Sequence, residues 1–356
     1  MTESNLLRDL GIKHPIIQAP MAGGPATPEL VAAVSNAGAL GSLGSAYSTP
    51  EQIAVDIKKI RTLTDKPFNV NLFAGGYAPE SPIDAVPMLA LLTEIHEALH
   101  LPPPTLPAWP KNPFAEQLQA VLEARPAAFS FTFGIPEPAA MARLKAAGIA
   151  IFGTATTVQE GKLLEASGVT AIVAQGAEAG SHRGTFAGPF ESAMVPTLEL
   201  VQSLRSAVST PIIASGGLMD GHDIAEALTR GASAAQLGTA FLTCPEAGTP
   251  EAYRRAIFAA RTDTTVITRA FSGRPARGLL NTFVSKLESK ERIILPFPLQ
   301  NALTRPMRTA AAQLGEPGYL SLFVGQGVIR ARAMPAAELV QLLVAEMQQA
   351  SAAYLQ

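Results

Sequence analysis

Apolar residues in this chain come in short, nearly unbroken runs rather than in clean alternation. Eight runs stand out: IIQAPM from Ile16, ALGSLG from Ala39, FNVNLF from Phe68, AAFSFTFG from Ala127, IAIFGT from Ile149, AIVAQG from Ala171, PIIASGG from Pro211 and AAQLGT from Ala234. A strand that is apolar at successive positions is covered on both faces, which is the habit of parallel sheets. Between the runs lie helical stretches with start and stop signals. Thr27-Pro28-Glu29 and Thr49-Pro50-Glu51 each place a capping hydroxyl, a proline at the first helical position and an early carboxylate. TVQE, Thr157 to Glu160, has the spacing of a capping box and predicts a helix over VQEGKLLEAS. Glycines close the helices in KAAGIAIF, EASGVTAIV and TRGASAAQL.

A strand-helix unit repeated eight times predicts an α/β chain folded as a (β/α)8 TIM barrel. An open doubly wound sheet calls for GxGxxG after the first strand, and APMAGGPATPEL lacks that spacing. Two gaps between runs are longer than the rest. The first contains LPPPTLPAWPKNP, Leu101 to Pro113, whose prolines forbid a core helix or a central strand. It predicts an excursion over the barrel mouth, across about residues 77–113, with Trp109 as its packing anchor. The second gap runs from Gly176 to Pro211 and opens on GAEAGSHRGTF. After the eighth strand Thr249-Pro250-Glu251 starts a further helix. The predicted organisation is therefore a barrel over residues 1–246 and a mostly helical subdomain over 247–314, leaning on the mouth. A segment over 315–356 follows, and its last helix, around Ala336 to Gln349, returns to the barrel wall.

Composition narrows the class. With 356 residues, 47% hydrophobic and 16% charged, the chain can bury a large core. A net charge of -2 and the lack of a Lys/Arg run exclude nucleic acid as the main partner. The single cysteine, Cys244, excludes a disulfide framework and reads as a small buried residue. His14, His96, His100, His182 and His222 are scattered singly, so no metal is expected. The first three read as surface residues, and His222 as an exposed or capping one. No charged stretch precedes an apolar core at the start, and no apolar run reaches about 18 residues, so a cytoplasmic protein is expected.

A barrel of this kind carries its site at the C-terminal ends of the strands, with phosphate after the last two. There the chain reads ASGGLMDGHD and QLGTAF. Gly216 and Gly217 let backbone N–H groups approach an anion, and Gly238 and Thr239 add donors. The other strand ends offer Ala19, Pro20, Met21, Asn71 and Gln175: amides and small apolar groups, without the lysine or carboxylate of an aldolase or isomerase. Amides beside a phosphate cradle suit a flat heterocycle with a phosphorylated tail, namely FMN. The plainer reading also stands, with Asn71 and Gln175 as amides bonded to backbone and Met21 as a core gap-filler.

QAPMAGGPATPELVAAVSNAGALGSLG, NVNLF, AQGAEAGSHRGTF, PIIASGG and AAQLGTAF together resemble the motifs of nitronate monooxygenases, once called 2-nitropropane dioxygenases. RPARGLLN and YLSLFVGQGV continue the likeness, the latter resembling class I enzymes. The resemblance implies FMN held without a covalent bond. Ala19, Pro20 and Met21 would lie along the ring, and Asn71 and Gln175 on polar atoms. Gly180 would lie close to the flavin, and Gly216, Gly217, Gln236, Leu237, Gly238 and Thr239 around the phosphate. Gly325 and Gln326 would be brought back by the C-terminal segment. It implies oxidation of an alkyl nitronate, propionate 3-nitronate foremost, by O2 to a carbonyl compound and nitrite, in a monomer or homodimer. His182 would steady the nitronate or remove the α-proton of a nitroalkane. Flavin-dependent enoyl and NAD(P)H:quinone reductases look similar, so an NAD(P)H-dependent flavin reductase is the alternative. One departure concerns the two glycines that commonly precede the histidine: here Gly180 is followed by Ser181, which meets a positive φ less easily.

Overall fold

Each of the eight apolar runs forms a strand. The computed structural model describes residues 5–262 and 264–353. Residues 1–4 and 354–356, the outermost positions of the first and last predicted units, lie outside the described residues. The strands are β1 Ile16–Gln18, β2 Gly41–Gly44, β3 Phe68–Phe73, β4 Ala128–Thr132, β5 Ala150–Ala155, β6 Ala171–Gln175, β7 Ser181–His182, β8 Ile212–Ser215, β9 Ala234–Leu237, β10 Thr265–Thr268 and β11 Ala276–Leu279. Eight of them make one parallel sheet in the order β1-β9-β8-β6-β5-β4-β3-β2. A parallel bridge from Ile17 to Leu40 brings its two edges together, closing the (β/α)8 barrel. The near-continuous apolar runs follow from this closure, because the inner face meets barrel filling and the outer face meets helices. All six residues of β3 are buried, as are all four of β8.

The helix starts obey the sequence signals. Thr27 accepts the N–H of Leu30 at 3.1 Å and Thr49 that of Gln52 at 3.2 Å, each with proline next in the chain. The helix predicted over VQEGKLLEAS spans Val158–Ser167, and Thr157 caps it. The second half of its predicted capping box does not form. The Glu160 carboxylate is buried and bonds instead to the N–H and hydroxyl of Thr156 and to the N–H groups of Phe186 and Ala187. Four donors outcompete the single N–H of a capping box, and two of them belong to the loop after His182. A full capping box occurs elsewhere, between Asp220 and Asp223.

The proline-rich stretch contains no helix or strand, and Trp109 anchors it by donating to the Ala78 carbonyl at 3.1 Å. Just before it, the helix Val86–Ala98 packs Met88, Leu92 and Ile95 into a second core with Phe271, Phe283 and Leu303. His96 corrects the surface assignment. It is buried, with Nδ1 2.7 Å from the Pro102 carbonyl, because the prolines fold back over it. His14 is half-buried, while His100 and His222 are exposed. Cys244 is fully buried, and burial pushes its thiol up to about 12.

After the barrel the chain is mostly helical, with one addition. β10, β11 and β7 form a small antiparallel sheet, in which Ala276 pairs with His182 and Arg277 with Ser181. No apolar run marks these three strands: β7 is Ser-His, β11 is Ala-Arg-Gly-Leu, and β10 is only half-buried along its length. The last described helix, Ala336–Ala353, packs on the barrel helix Gly221–Thr229.

Candidate active site

The C-terminal ends of the barrel strands open into a cavity of about 850 Å³. It is lined by Ala19, Pro20, Met21, Asn71, Gln175, Gly180, His182, Gly216, Gly217, Gln236, Gly238, Thr239 and Gly325. Two of the sequence-derived positions do not line it. Leu237 is buried in the barrel wall, and Gln326 is exposed, with its N–H on the Glu178 carbonyl.

Local backbone demands place the apolar lip. A Cβ on Gly44 would stand 2.5 Å from the Ala22 nitrogen, so the end of β2 packs directly on Met21–Ala22. Asn69 and Asn71 lie two apart on β3 and both donate to Ser130 Oγ at 2.9 Å. Gln175 acts chiefly on its own loop. Its Nε2 donates to the His182 carbonyl at 3.0 Å, and its Oε1 accepts the Gly184 N–H at 2.8 Å. Arg183 pins the same loop from beneath, donating to the carbonyls of Gly176, Gln175 and Ala193. Burial lowers that guanidinium to about 10, which leaves it charged at neutral pH.

His182 therefore sits on a strand edge rather than in a free loop. Its Nε2 lies 2.8 Å from Ser272 Oγ. Ser272 Oγ also accepts the Arg274 N–H at 3.2 Å and faces the Arg274 carbonyl at 3.3 Å. Four phenylalanine rings surround the imidazole, with centroids at 5.4 Å for Phe323, 5.8 Å for Phe133, 6.2 Å for Phe73 and 6.5 Å for Phe297. Burial, aided by the charges of Arg274 and Arg308, pushes its pKa down to about 3. The imidazole is neutral across physiological pH.

This shift has a stability consequence. The unfolded chain takes up a proton at His182 near its ordinary 6.5, and the folded chain resists it down to about 3. The folded state therefore holds its full advantage above about pH 6.5 and loses it as pH falls through that window. Urea midpoints measured from pH 7 to pH 4 should fall more steeply for the native protein than for His182→Phe. Equal slopes would remove His182 from the acid response.

Two non-glycine residues with left-handed backbone border the cavity, Ser181 at φ 65° and Phe133 at φ 71°. Such residues cluster where a site dictates backbone geometry. Ser181 meets the positive φ at a cost, so Ser181→Gly should raise unfolding free energy by about 1 kcal/mol. An unchanged or lower urea midpoint would show that the serine is unstrained. Gly180 is needed for a different reason. A Cβ there would stand 2.4 Å from the Val324 carbonyl carbon and 2.5 Å from the Gly325 nitrogen.

Arg305 and Arg308 line the cavity, while Arg274 lies outside its lining, against Phe133. Arg274 lies 3.9 Å above the Phe133 ring and donates to the Gly76 and Thr185 carbonyls. Arg305 and Arg308 enter from the helix Leu299–Leu314. No carboxylate pairs with any of the three among the described residues. Across the cavity, Gly216 and Gly217 take φ 129° and 72°, and Arg330 fixes their turn by donating to the Gly217 carbonyl while paired with Asp220 and Asp223. Thr239 Oγ1 accepts the Gly325 N–H at 2.9 Å, and Gln236 Nε2 donates to Ser215 Oγ at 3.2 Å.

Sequence reasoning missed Ser272, Arg274, Arg308 and the phenylalanine cage. RPARGLLN, which begins at Arg274, marked the neighbourhood in advance, as did NVNLF, AAFSFTFG and YLSLFVGQGV, which carry Phe73, Phe133 and Phe323, but none of them singled out these side chains. Among the described residues no cluster of His, Cys, Asp and Glu could hold a metal ion, and no helix is long and apolar enough to cross a membrane.

The arrangement has known counterparts. A family model described as nitronate monooxygenase matches residues 4–346. A probable nitronate monooxygenase of Staphylococcus aureus (strain Newman) is 38% identical over 348 residues, 98% of either chain. A nitroalkane oxidase structure from Streptomyces ansochromogenes superimposes with a TM-score of 0.90 at 39% identity, covering 99% of this chain and 100% of that one. FabK from Thermotoga maritima gives a TM-score of 0.79 at 26% identity, over 100% and 99%. The chain belongs to the nitronate monooxygenase family.

Proposed function

We propose that the chain binds FMN in this cavity and oxidises alkyl nitronates with O2 to a carbonyl compound and nitrite, with propionate 3-nitronate as a substrate. The observation that carries the reading is a neutral, cavity-lining histidine in an aromatic cage, in a cavity that Arg305 and Arg308 also line. A nitronate is already an anion with carbanion character, so it needs a positive field and a dry face rather than a strong base.

The residues fit FMN. Gly216 and Gly217 adopt φ values that L side chains rarely take, and a Cβ on Gly238 would meet nothing closer than Ala19 at 3.5 Å. This leaves backbone N–H groups open to a phosphate. Ala19, Pro20 and Met21 would flank the ring, Asn71 its polar edge, and Gln236 and Thr239 the tail. Gly180 and Gly325 would set the wall beside it. When bound, FMN supplies the electron acceptor for the nitronate.

The chain's own residues hold the substrate and handle its proton. Ser272 Oγ can turn either way. When it accepts from His182 Nε2, Nδ1 is an acceptor able to take an α-proton. When it donates to Nε2, Nδ1 carries the hydrogen and can bond a nitronate oxygen. The four phenylalanines keep water from the reacting face. Arg274 and Arg308 supply the field that favours an anion.

The test is nitrite release from propionate 3-nitronate in air, run beside anaerobic flavin reduction by NADH and NADPH. Nitrite without reduction by either nucleotide is expected. Rapid bleaching by NADH or NADPH with no nitrite would favour the flavin-reductase reading instead.

A further inference from the structure

We infer that residues 323–330 form a strap whose opening governs cofactor exchange, and that Arg330, clasped by Asp220 and Asp223, is the positioning residue that holds it shut; this rests on the FMN reading above. The segment reaches both halves of the cavity. Phe323 closes one side of the His182 cage, and the Tyr253 hydroxyl donates to its carbonyl at 2.8 Å. Further on, the Gly325 N–H bonds Thr239 Oγ1 and the Gln326 N–H bonds the Glu178 carbonyl. Gly327 lies flat on the turn after β8, where a Cβ would stand 2.5 Å from Met219 Cγ and 2.6 Å from the Gly217 carbonyl oxygen. Arg330 ends the segment. Its Nη2 donates to the Gly217 carbonyl at 3.0 Å, and its Nη1 lies 2.8 Å from Asp220 and 2.9 Å from Asp223.

These contacts are not equivalent. The Gly325 and Gln326 bonds are neutral, and water can replace them when the segment lifts. Arg330 makes the segment's only ion pairs among the described residues. Its side chain is 40% exposed, so dissolved ions can reach the clasp. It does not line the cavity, and so acts through the segment and the turn. Asp220 and Asp223 stay in place when Arg330 leaves, because they cap the helix Gly221–Thr229. Two carboxylates then stand uncompensated just beyond Gly216 and Gly217, and carboxylates repel a phosphate. Arg330 therefore holds the strap down and cancels charge beside the cradle. Lifting the strap also takes Phe323 away from His182, so one motion opens the cradle and wets the cage.

The rate of FMN release from the diluted holoenzyme, followed by flavin fluorescence, reads the opening. Arg330→Gln should release FMN about tenfold faster, the low end for hydrogen bonds to charged groups because the clasp is part-exposed. Raising salt from about 0.05 M to about 0.5 M should speed release in the native protein and have little effect in Arg330→Gln. Arg330→Lys should restore part of the difference. Arg230→Gln, which removes an exposed pair with Glu226, should release FMN at the native rate. Equal release by the native protein and Arg330→Gln, or the same salt response in both, would overturn the clasp. Hydrogen exchange gives a readout without cofactor or turnover. In FMN-free protein the Gly325 and Gln326 amides should exchange about tenfold faster in Arg330→Gln, with the helix Leu299–Leu314 unchanged. No change at these amides, or faster exchange throughout the chain, would overturn the strap. If the purified protein takes up no FMN while these amides still respond, the FMN reading fails and the strap stands as a closure of the cavity.

Discussion

His182→Asn should retain FMN and lose about 10²- to 10⁴-fold of its rate on neutral nitroalkanes, the scale of a positioned general base. On preformed nitronates the loss should be about tenfold. Asparagine keeps the size and a donor but has no group that can accept a proton. The cage makes the asymmetry sharp. An imidazole pushed down to about 3 is unprotonated at neutral pH, so all of it is in the form that can accept an α-proton. A nitronate arrives already deprotonated and asks only for a hydrogen bond. Equal losses on both substrates would show that His182 does not move the proton. Normal turnover on both would remove it from the mechanism.

Gly180→Ala should be strongly damaging. The added carbon would stand 2.4 and 2.5 Å from main-chain atoms of Val324 and Gly325, and main chain cannot swing aside as a side-chain tip can. That segment is held by the Gly325 N–H on Thr239 and the Gln326 N–H on the Glu178 carbonyl. The clash therefore reaches the cradle side of the cavity through Thr239. A destabilisation of about 1–3 kcal/mol is expected, together with weakened FMN retention on dilution. Both are read by thermal unfolding and by flavin fluorescence released into the filtrate. Native melting and full retention would mean that the two segments can part without cost.

How much of this was legible in the sequence depends on how far apart the partners lie. Thr27 and Thr49 bond three residues ahead, so their helices could be placed from a short window. The eight strands declared themselves because burial on both faces leaves an apolar run. The ends of those strands then located Asn71, Gly216 and Gly217 at the cavity. His182 was visible as a histidine among small residues, but its hydrogen-bond partner Ser272 is 90 positions away. No local pattern announces such a pair. The same holds for Glu160, whose spacing promised a capping box until a distant loop claimed its carboxylate. His96 looked like a surface histidine on a helix because nothing in its own turn shows that prolines fold back over it. Periodicity reports which face is covered; it does not report by what.

The meeting of Gly180 with Val324–Gly325 also bears on how the protein is made. Loop and barrel strands leave the ribosome long before residues 324–327 are joined to the chain. Until then Gly180 has no neighbour on that side, and the hydroxyl of Thr239 lacks the Gly325 N–H. A nascent chain that has completed its barrel has a pocket with one wall missing. The helix Ala336–Ala353, which covers the barrel helix Gly221–Thr229, is made later still, so both the pocket wall and part of the barrel's outer layer wait for the last tenth of the chain.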